Sequence, residues 1–274
     1  MRYYYRFEVT LGISMRIALG VEYDGSQYHG WQSQRGLHTV QNCIELALEK
    51  VADHSVSVTC AGRTDTGVHA TNQVIHFDSE SHRTMRSWVY GVNSNLPKDI
   101  VLKWAKEVNS DFHARFSAVA RRYRYVIFNN AIRPALYRSS ITWQYRQLDD
   151  KAMHEAAQSL LGEQDFTSFR SVECQSKTPM RNIMALSVTR KEDKVIIDIT
   201  ANAFLHHMVR NIVGVLINVG SGKKPVHWVD EVLQARDRRL GAETAPPYGL
   251  YLVDVTYPDE FNLIKQPIGP MLLV

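Results

Sequence analysis

The stretch Cys60–Ala70, with the sequence CAGRTDTGVHA, is the most informative in the chain. It lies between two runs, Val56–Cys60 and Gln73–Phe77, whose alternating or β-branched apolar residues predict strands. Gly62 and Gly67 allow the backbone to turn sharply at both ends. The sequence therefore predicts a turn between two strands that another molecule can approach closely.

Inside this turn, Arg63 and Asp65 lie two residues apart. A guanidinium close to a carboxylate favours its ionised form and fixes its direction, as a carboxylate nucleophile or base requires. Carboxylates are also common in ordinary surface turns, where a neighbouring arginine is simply solvated. The turn alone leaves both interpretations open.

The composition is that of a globular protein with one large domain or two smaller ones: 274 residues, 45% hydrophobic and 22% charged. No apolar run approaches the roughly 20 residues that cross a bilayer, so we expect no membrane association. Cys43, Cys60 and Cys174 form no C-x-x-C pair, which argues against a zinc site and a disulfide framework. A reducing cytoplasm fits this cysteine content best.

Arginines and aromatic residues alternate between Phe112 and Arg146, where there are seven arginines, eight aromatics and no acidic residue. Arginine matches phosphate geometry and aromatic rings stack on unpaired bases, so the tract suits looped RNA. The alternative is a strand pair with core aromatics on one face and solvated arginines on the other. In the strand predicted at Arg121–Phe128, Tyr123 and Tyr125 share one face, and we expect Tyr125 to be a core residue.

Strands dominate the rest of the pattern, with helices between them and no repeated βαβ rhythm, which predicts an α+β fold with a mixed, mostly antiparallel sheet. Further strands are predicted at residues 16–23, 100–108, 182–189, 194–200 and 250–257. Helices are predicted at residues 40–52 (with Thr39 as N-cap), 84–95, 149–161, 206–219 and 225–236.

Five side chains outside the turn leave a choice between chemistry and packing. Tyr28 and Trp31 follow the first strand and could stack on RNA or cover the core. His206 and His207 are adjacent, so they should point to different faces and make a poor metal pair; we expect capping or polar packing. Arg210 opens an apolar helix and needs an acidic or phosphate partner.

Residues 62–70 closely resemble the signature of the tRNA pseudouridine synthase A family, and other motifs follow in the order of that family. Thr66 departs from the family pattern, which usually has alanine there, and we expect its hydroxyl to be tolerated. The motifs are Tyr23-Asp24-Gly25, Gly30-Trp31-Gln32, Asp111–Ser117, Arg121–Tyr125, Asp165–Phe169, Asn202–Asn211 and Gly249–Leu252.

The resemblance implies the pseudouridine synthase fold, with two related halves, each a mixed and mostly antiparallel sheet flanked by helices. The active-site cleft is expected between the halves. We assign residues 15–115 to the half that carries the Asp65 loop and residues 116–274 to the half that completes the cleft and the RNA surface. Residues 1–14 are expected to be a non-native or disordered extension, with Met15 as a candidate start.

The implied activity is isomerisation of uridine to pseudouridine in the tRNA anticodon stem-loop, at positions 38 to 40, by a cytoplasmic homodimer without cofactor or metal. The resemblance assigns Asp65 as the nucleophile, Tyr123 as the tyrosine against the target base and Arg210 as the partner of Asp65. Arg63 is expected to organise the loop and contact RNA. Further RNA contacts are expected from Arg115, Arg121, Arg122 and Arg124.

Two other functions are compatible with parts of this pattern. A catalytically silent RNA-binding or RNA-folding module would explain the arginine–aromatic tract, but it would not need Asp65 together with Tyr123 and Arg210. A carboxylate-dependent hydrolase such as a nucleosidase would use Asp65, but it would release free base and would not need the tract.

Overall fold

The computed structural model describes residues 14–271 of the 274-residue chain. Residues 1–13 of the predicted extension lie outside the described residues. Within residues 14–271 the chain forms ten β-strands and five α-helices. The strands are β1 (Met15–Tyr23), β2 (Thr59–Cys60), β3 (His69–Ser79), β4 (Ile100–Val108), β5 (Ala120–Asn129), β6 (Thr142–Gln144), β7 (Gly162–Asp165), β8 (Met180–Lys191), β9 (Lys194–Ala201) and β10 (Leu250–Thr256). The helices are α1 (Val40–Ala52), α2 (Met85–Asn93), α3 (Asp150–Ala157), α4 (Met208–Gly220) and α5 (Trp228–Ala235).

All ten strands belong to one sheet, in the order β4-β1-β3-β10-β5-β9-β8-β7, with β2 beside β3 and β6 beside β5. Only the β3–β10 and β5–β6 pairs are parallel. The α+β class and the mostly antiparallel sheet are thus confirmed. The two expected halves share this sheet, because β10 lies between β3 and β5 with Tyr251 opposite His69.

The helices cover the sheet because each has an apolar stripe that must be buried. The side chain of Thr39 accepts the backbone N–H of Asn42 and caps α1, as predicted. Helix α1 packs beside α2, while α3, α4 and α5 form a second group. Ten of the 13 residues of α4 are buried. Among residues 14–271, no helix is long and apolar enough to cross a membrane.

Two strand predictions differ from the structure. The strand predicted at Val56–Cys60 joins the sheet only at Thr59–Cys60. Val56 and Val58 are buried all the same, so their apolar pattern reflects core packing rather than a ladder of hydrogen bonds. Strands β6 and β7 were not predicted, because three and four residues are too few to show an alternating pattern.

The sheet order brings distant parts of the chain together at its centre. Strand β3 follows the Asp65 loop directly, and β5 carries Tyr123 one strand beyond β10. Strand β9 pairs with β5, so the segment 202–207 between β9 and α4 also reaches this region. Helix α4 then holds the segment 242–245 at Gly214, where the carbonyl oxygen of Glu243 approaches the helix backbone.

Replacing Gly214 with alanine should lower the free energy of unfolding by about 1–3 kcal/mol, because the new methyl group would collide with the Glu243 carbonyl oxygen. The matched control is Gly91→Ala in α2, where the added carbon would lie 3.2 Å from a methyl group of Val51. Both changes gain about 1 kcal/mol of helix propensity. The difference in the free energy of unfolding between the two variants, measured with urea, therefore reports the cost of the collision at Gly214. Equal midpoints for the two variants would contradict the prediction.

Candidate active site

The Asp65 loop is held from its own strand β3. Gln73 is fully buried, accepts the Gly62 N–H through Oε1 at 3.2 Å and donates Nε2 to the Gly62 carbonyl at 2.5 Å. Gly67 has a φ of +78°, in the left-handed region that glycine tolerates. A Cβ at Gly67 would also lie 2.9 Å from Pro247 Cγ. The protein itself therefore defines the shape of the loop.

Tyr28 and Trp31 belong to the core, with exposed fractions of 2% and 1%. The Trp31 N–H donates to the Thr64 carbonyl at 3.0 Å, and the Tyr28 hydroxyl donates to Asp99 at 2.5 Å. Of the two roles that the sequence left open, these residues take the structural one: they cover the core and support the loop.

Three nitrogen-bearing side chains surround the Asp65 carboxylate. Arg210 Nη1 donates to Oδ2 at 3.2 Å, while Arg210 Nε donates to the Ala245 carbonyl at 2.8 Å. His207 Nε2 lies 3.3 Å from Oδ2, and His206 Nε2 lies 3.4 Å from Oδ1. The Asp65 side chain is 22% exposed, so a substrate can still reach it. The Asp65 carboxylate therefore has a cationic neighbour in Arg210 and is still partly accessible, as a nucleophile or base requires.

The position of the two histidines differs from the sequence prediction. Their rings lie 4.0 Å apart between centroids and both face Asp65, whereas adjacent residues were expected to diverge. His207 has a φ of +62°, and its side chain makes no capping hydrogen bond to α4. This left-handed residue before the helix brings both rings to one side. Of the expected capping or polar packing, capping is therefore wrong for His207, whereas its contact with Asp65 is polar packing.

Burial lowers the pKa of His207 below its ordinary value, and the charge of Asp65 only partly opposes this effect. The ring is thus mainly neutral at neutral pH, which leaves Arg210 as the permanent cation beside Asp65. Ligand atoms of Asp65, His206 and His207 lie within 4.8 Å of one another, a spacing that could hold a metal ion. The Arg210 guanidinium on the same carboxylate would repel such an ion.

Tyr123 lies in β5, is 7% exposed and packs edge-to-face against Phe204 with 4.9 Å between ring centroids. Its hydroxyl faces the Asp65 loop, since a Cβ at Gly62 would lie 3.5 Å from it. Burial, together with the negative charge of Asp65, raises the pKa of Tyr123. The phenol therefore stays protonated at neutral pH and suits stacking or hydrogen-bond donation better than proton removal. Tyr125 is fully buried, which confirms its core role.

Arg63 and Thr66 are exposed on the loop that carries Asp65. The ion pairs of Asp65 are made with Arg210 and the two histidines, so Arg63 is directed to solvent instead. Because Thr66 is exposed, the loop accommodates its hydroxyl.

Arg121 is buried and connects three segments of the site. Its guanidinium donates to the carbonyls of Ala61 before the loop, Arg115 and Ala118 before β5, and Asn202 after β9. These bonds use all five of its N–H groups. Burial lowers its pKa. No donor of Arg121 is left for the RNA contact that the sequence predicted, and the residue holds the site together instead.

Of the other arginines expected to contact RNA, two form ion pairs within the protein and one is exposed. Arg122 forms two hydrogen bonds to Asp198 at 2.7 and 2.8 Å, and Arg124 donates to the same carboxylate at 2.7 Å. Burial alone would raise the pKa of Asp198, but these guanidinium groups outweigh it and lower that pKa. Arg115 is exposed. It remains the clearest candidate of the group for a phosphate contact.

Two open surface cavities lie away from Asp65. One, of about 480 Å³, is lined by Lys224 and Trp228 near α5; the other, of about 430 Å³, is lined by Phe128 and Tyr137. Neither contains the titratable cluster around Asp65. The convergence of charges therefore identifies the candidate site better than cavity volume does.

Residues 20–117 and 156–258 match the family model described as tRNA pseudouridine synthase, and the chain belongs to this family. Among its relatives, a protein of Legionella pneumophila (strain Lens) named tRNA pseudouridine synthase A is 71% identical, covering 94% of this chain and 99% of that protein. Proteins of the same name from Alcanivorax borkumensis and Vibrio campbellii are each 58% identical; the alignments cover 94% of this chain and 97% and 98% of those proteins.

Among solved structures, the crystal structure of a Cbf5-Nop10-Gar1 complex is 12% identical, with a TM-score of 0.36. The match covers 86% of this chain but only 48% of that chain. This similarity is too low to support an argument about fold or site.

Replacing Arg121 with methionine should lower the free energy of unfolding by about 2–4 kcal/mol, because buried carbonyl groups lose their donors. Amide hydrogen exchange in residues 60–70 should accelerate more than in α1, since Arg121 fixes the start of the Asp65 loop. Arg138→Met is the control, because Arg138 is exposed in the same tract. Unchanged exchange in the loop of the Arg121 variant would contradict this role.

Stability should also fall in mild acid because of His76, which accepts the Ala114 N–H through Nδ1 at 3.1 Å. Burial, reinforced by Arg16, lowers the pKa of His76 from 6.5 to about 4. The unfolded chain therefore binds the proton first as the pH falls. We expect full stability above about pH 6.5 and a loss of about 3 kcal/mol by pH 4.

The comparison variant is His76→Gln, which keeps an acceptor but does not titrate. Urea unfolding of this variant should show a shallower loss of stability between pH 6.5 and 4 than the wild type. The same pH dependence in both proteins would show that His76 is not responsible.

Proposed function

We propose that this chain isomerises uridine to pseudouridine in the anticodon stem-loop of tRNA, at positions 38 to 40, with Asp65 as nucleophile and without a cofactor or metal. The observation that carries this proposal is the convergence of Arg210, His206 and His207 on one partly exposed carboxylate beside Tyr123. Relatives that are 58–71% identical over 94% of the chain are named tRNA pseudouridine synthase A, which supports the substrate.

The reaction breaks the C1′–N1 bond, turns the uracil and joins C5 to C1′, while C5 loses a proton and N1 gains one. The detached base must be held while the sugar is short of electrons. A carboxylate suits this task, because it can attack C1′ or assist departure of the base, as carboxylates do in glycoside hydrolysis. Asp65 has the exposure and the fixed loop for this role.

Arg210 is positioned to direct the Asp65 carboxylate, since a second hydrogen bond to Ala245 holds its guanidinium in place. Tyr123 supplies an aromatic ring and a protonated hydroxyl against which the uracil can rest. His206 and His207 join the sequence-predicted set as neighbours of the same carboxylate.

A uridine within a stem must leave its stack to reach Asp65, at a cost of a few kcal/mol. Exposed arginines can offset this cost through phosphate contacts. Arg63 lies on the Asp65 loop, Arg115 lies on the turn that Arg121 joins to that loop, and both are exposed. We assign the RNA backbone to this side of the loop.

A homodimer in the cytoplasm is part of the proposal. Exposed apolar side chains in one segment support a second copy as partner: Ile132 is 77% exposed, Leu136 74% and Tyr137 54%. The three cysteines are free, which is compatible with a reducing compartment.

Unmodified tRNA labelled with tritium at uridine C5 provides the test. The wild type should release tritium without added cofactor, and Asp65→Asn should reduce release by at least about 10³-fold, since the amide cannot act as nucleophile. Thr66→Ala is the control, because Thr66 is an exposed neighbour of Asp65. Equal release by the Asp65 variant would exclude Asp65 as nucleophile.

Absence of release from the wild type, with tight tRNA binding retained, would favour an RNA-binding module instead. Free uracil among the products would favour a hydrolase.

A further inference from the structure

The turn that precedes β5 exposes a large aromatic side chain beside the Asp65 loop. Phe116 is 75% exposed, although Phe112 and Ala114 in the same turn are fully buried. His113 packs on the Phe116 ring with 4.3 Å between centroids and an angle of 31°. The Arg115 guanidinium lies 5.5 Å from the centroid of that ring. An exposed ring thus carries one aromatic and one cationic neighbour.

The turn is held by its own hydrogen bonds. The N–H groups of Arg115 and Phe116 both donate to His113 Nδ1, at 3.2 and 3.1 Å. The His113 N–H donates to Ser117 Oγ at 2.9 Å, and the Ser117 N–H donates to the His113 carbonyl at 2.9 Å. The Phe116 ring is therefore presented in a defined orientation, which lowers the entropy lost when a partner binds.

Arg121 places this turn against the Asp65 loop. It donates to the Arg115 carbonyl and the Ala61 carbonyl with the same Nη2. The exposed ring, with the Arg115 guanidinium beside it, consequently lies on the turn that Arg121 joins to the Asp65 loop, and that loop also carries the exposed Arg63.

We propose that Phe116, backed by His113 and flanked by Arg115, is the stacking surface for an unpaired base of the RNA substrate. The inference rests on the proposed function, which makes RNA the substrate. Every base has a flat π face that an aromatic ring can cover, and a neighbouring guanidinium neutralises the adjacent phosphate. An exposed phenylalanine with no such partner would only cost solvation. Phe116 acts by binding and positioning the RNA rather than by touching the reacting atoms.

The test compares Phe116→Ala, Phe116→Leu and Phe116→Tyr with the wild type, using unmodified tRNA for Kd and tritium release for KM and kcat. Stacking predicts a rise of about 5- to 150-fold in Kd and KM for the alanine and leucine variants, with kcat less affected. The tyrosine variant should stay near the wild type. The matched control is Tyr90→Ala, whose ring is 62% exposed under Arg86 but lies on α2 near the far edge strand β4.

A second arm uses anticodon stem-loops in which one loop base at a time is removed. At the stacked position, base removal should weaken binding by the wild type but not by Phe116→Ala. The proposal is overturned if Phe116→Ala binds tRNA like the wild type, if leucine restores binding, or if Tyr90→Ala has the same effect. Because Kd reports binding whether or not the uridine is isomerised, a wild type that binds tRNA but releases no tritium would defeat the proposed function and leave the stacking test intact.

Discussion

The site depends on one buried cation, the Arg121 guanidinium. Its five N–H groups satisfy carbonyls from the start of the Asp65 loop, from the turn before β5 and from the segment after β9. A charge this well buried is stable only when every donor is used. The three segments are therefore fixed relative to one another by a single side chain that does not need to meet the substrate.

The groups around Asp65 differ in whether they carry a charge at neutral pH. Arg210 is always protonated and is held at both ends, by Asp65 and by the Ala245 carbonyl. His207 is kept neutral by burial, and Tyr123 is kept protonated by burial and by Asp65 itself. One carboxylate thus faces one fixed cation and groups that donate or stack, which suits a reaction in which charge develops on a sugar and then disappears.

Periodicity predicted the fold class and most elements because it is a local property, whereas the pairing of Asp65 with Arg210, 145 residues away, was implied by the resemblance to the family. The prediction from sequence failed where tertiary structure determines the direction or the partners of a side chain. His207 converges with His206 through a left-handed backbone at a non-glycine residue, which no pattern indicates. Alternation places Arg121 and Arg122 on opposite faces of β5, but no pattern shows that Arg121 donates to carbonyls of three segments while Arg122 pairs with Asp198 on the neighbouring strand β9. Val56 and Val58 have a strand pattern that only core packing explains.

Strand β10 lies at the centre of the sheet, although it is synthesised after the other nine strands of the described chain. The strands β1, β3 and β4 are translated first, but His69 and Ala70 of β3 pair with β10 (Leu250–Thr256), the last strand of the described chain. Ala245, which holds Arg210, and Pro247, which packs on Gly67, arrive equally late. In a chain synthesised only through β4, Gln73 can already hold Gly62, but the contacts from Ala245 and Pro247 are missing. The Asp65 carboxylate therefore lacks its Arg210 partner, and the Ala245 carbonyl that holds Arg210, until these later segments have been synthesised.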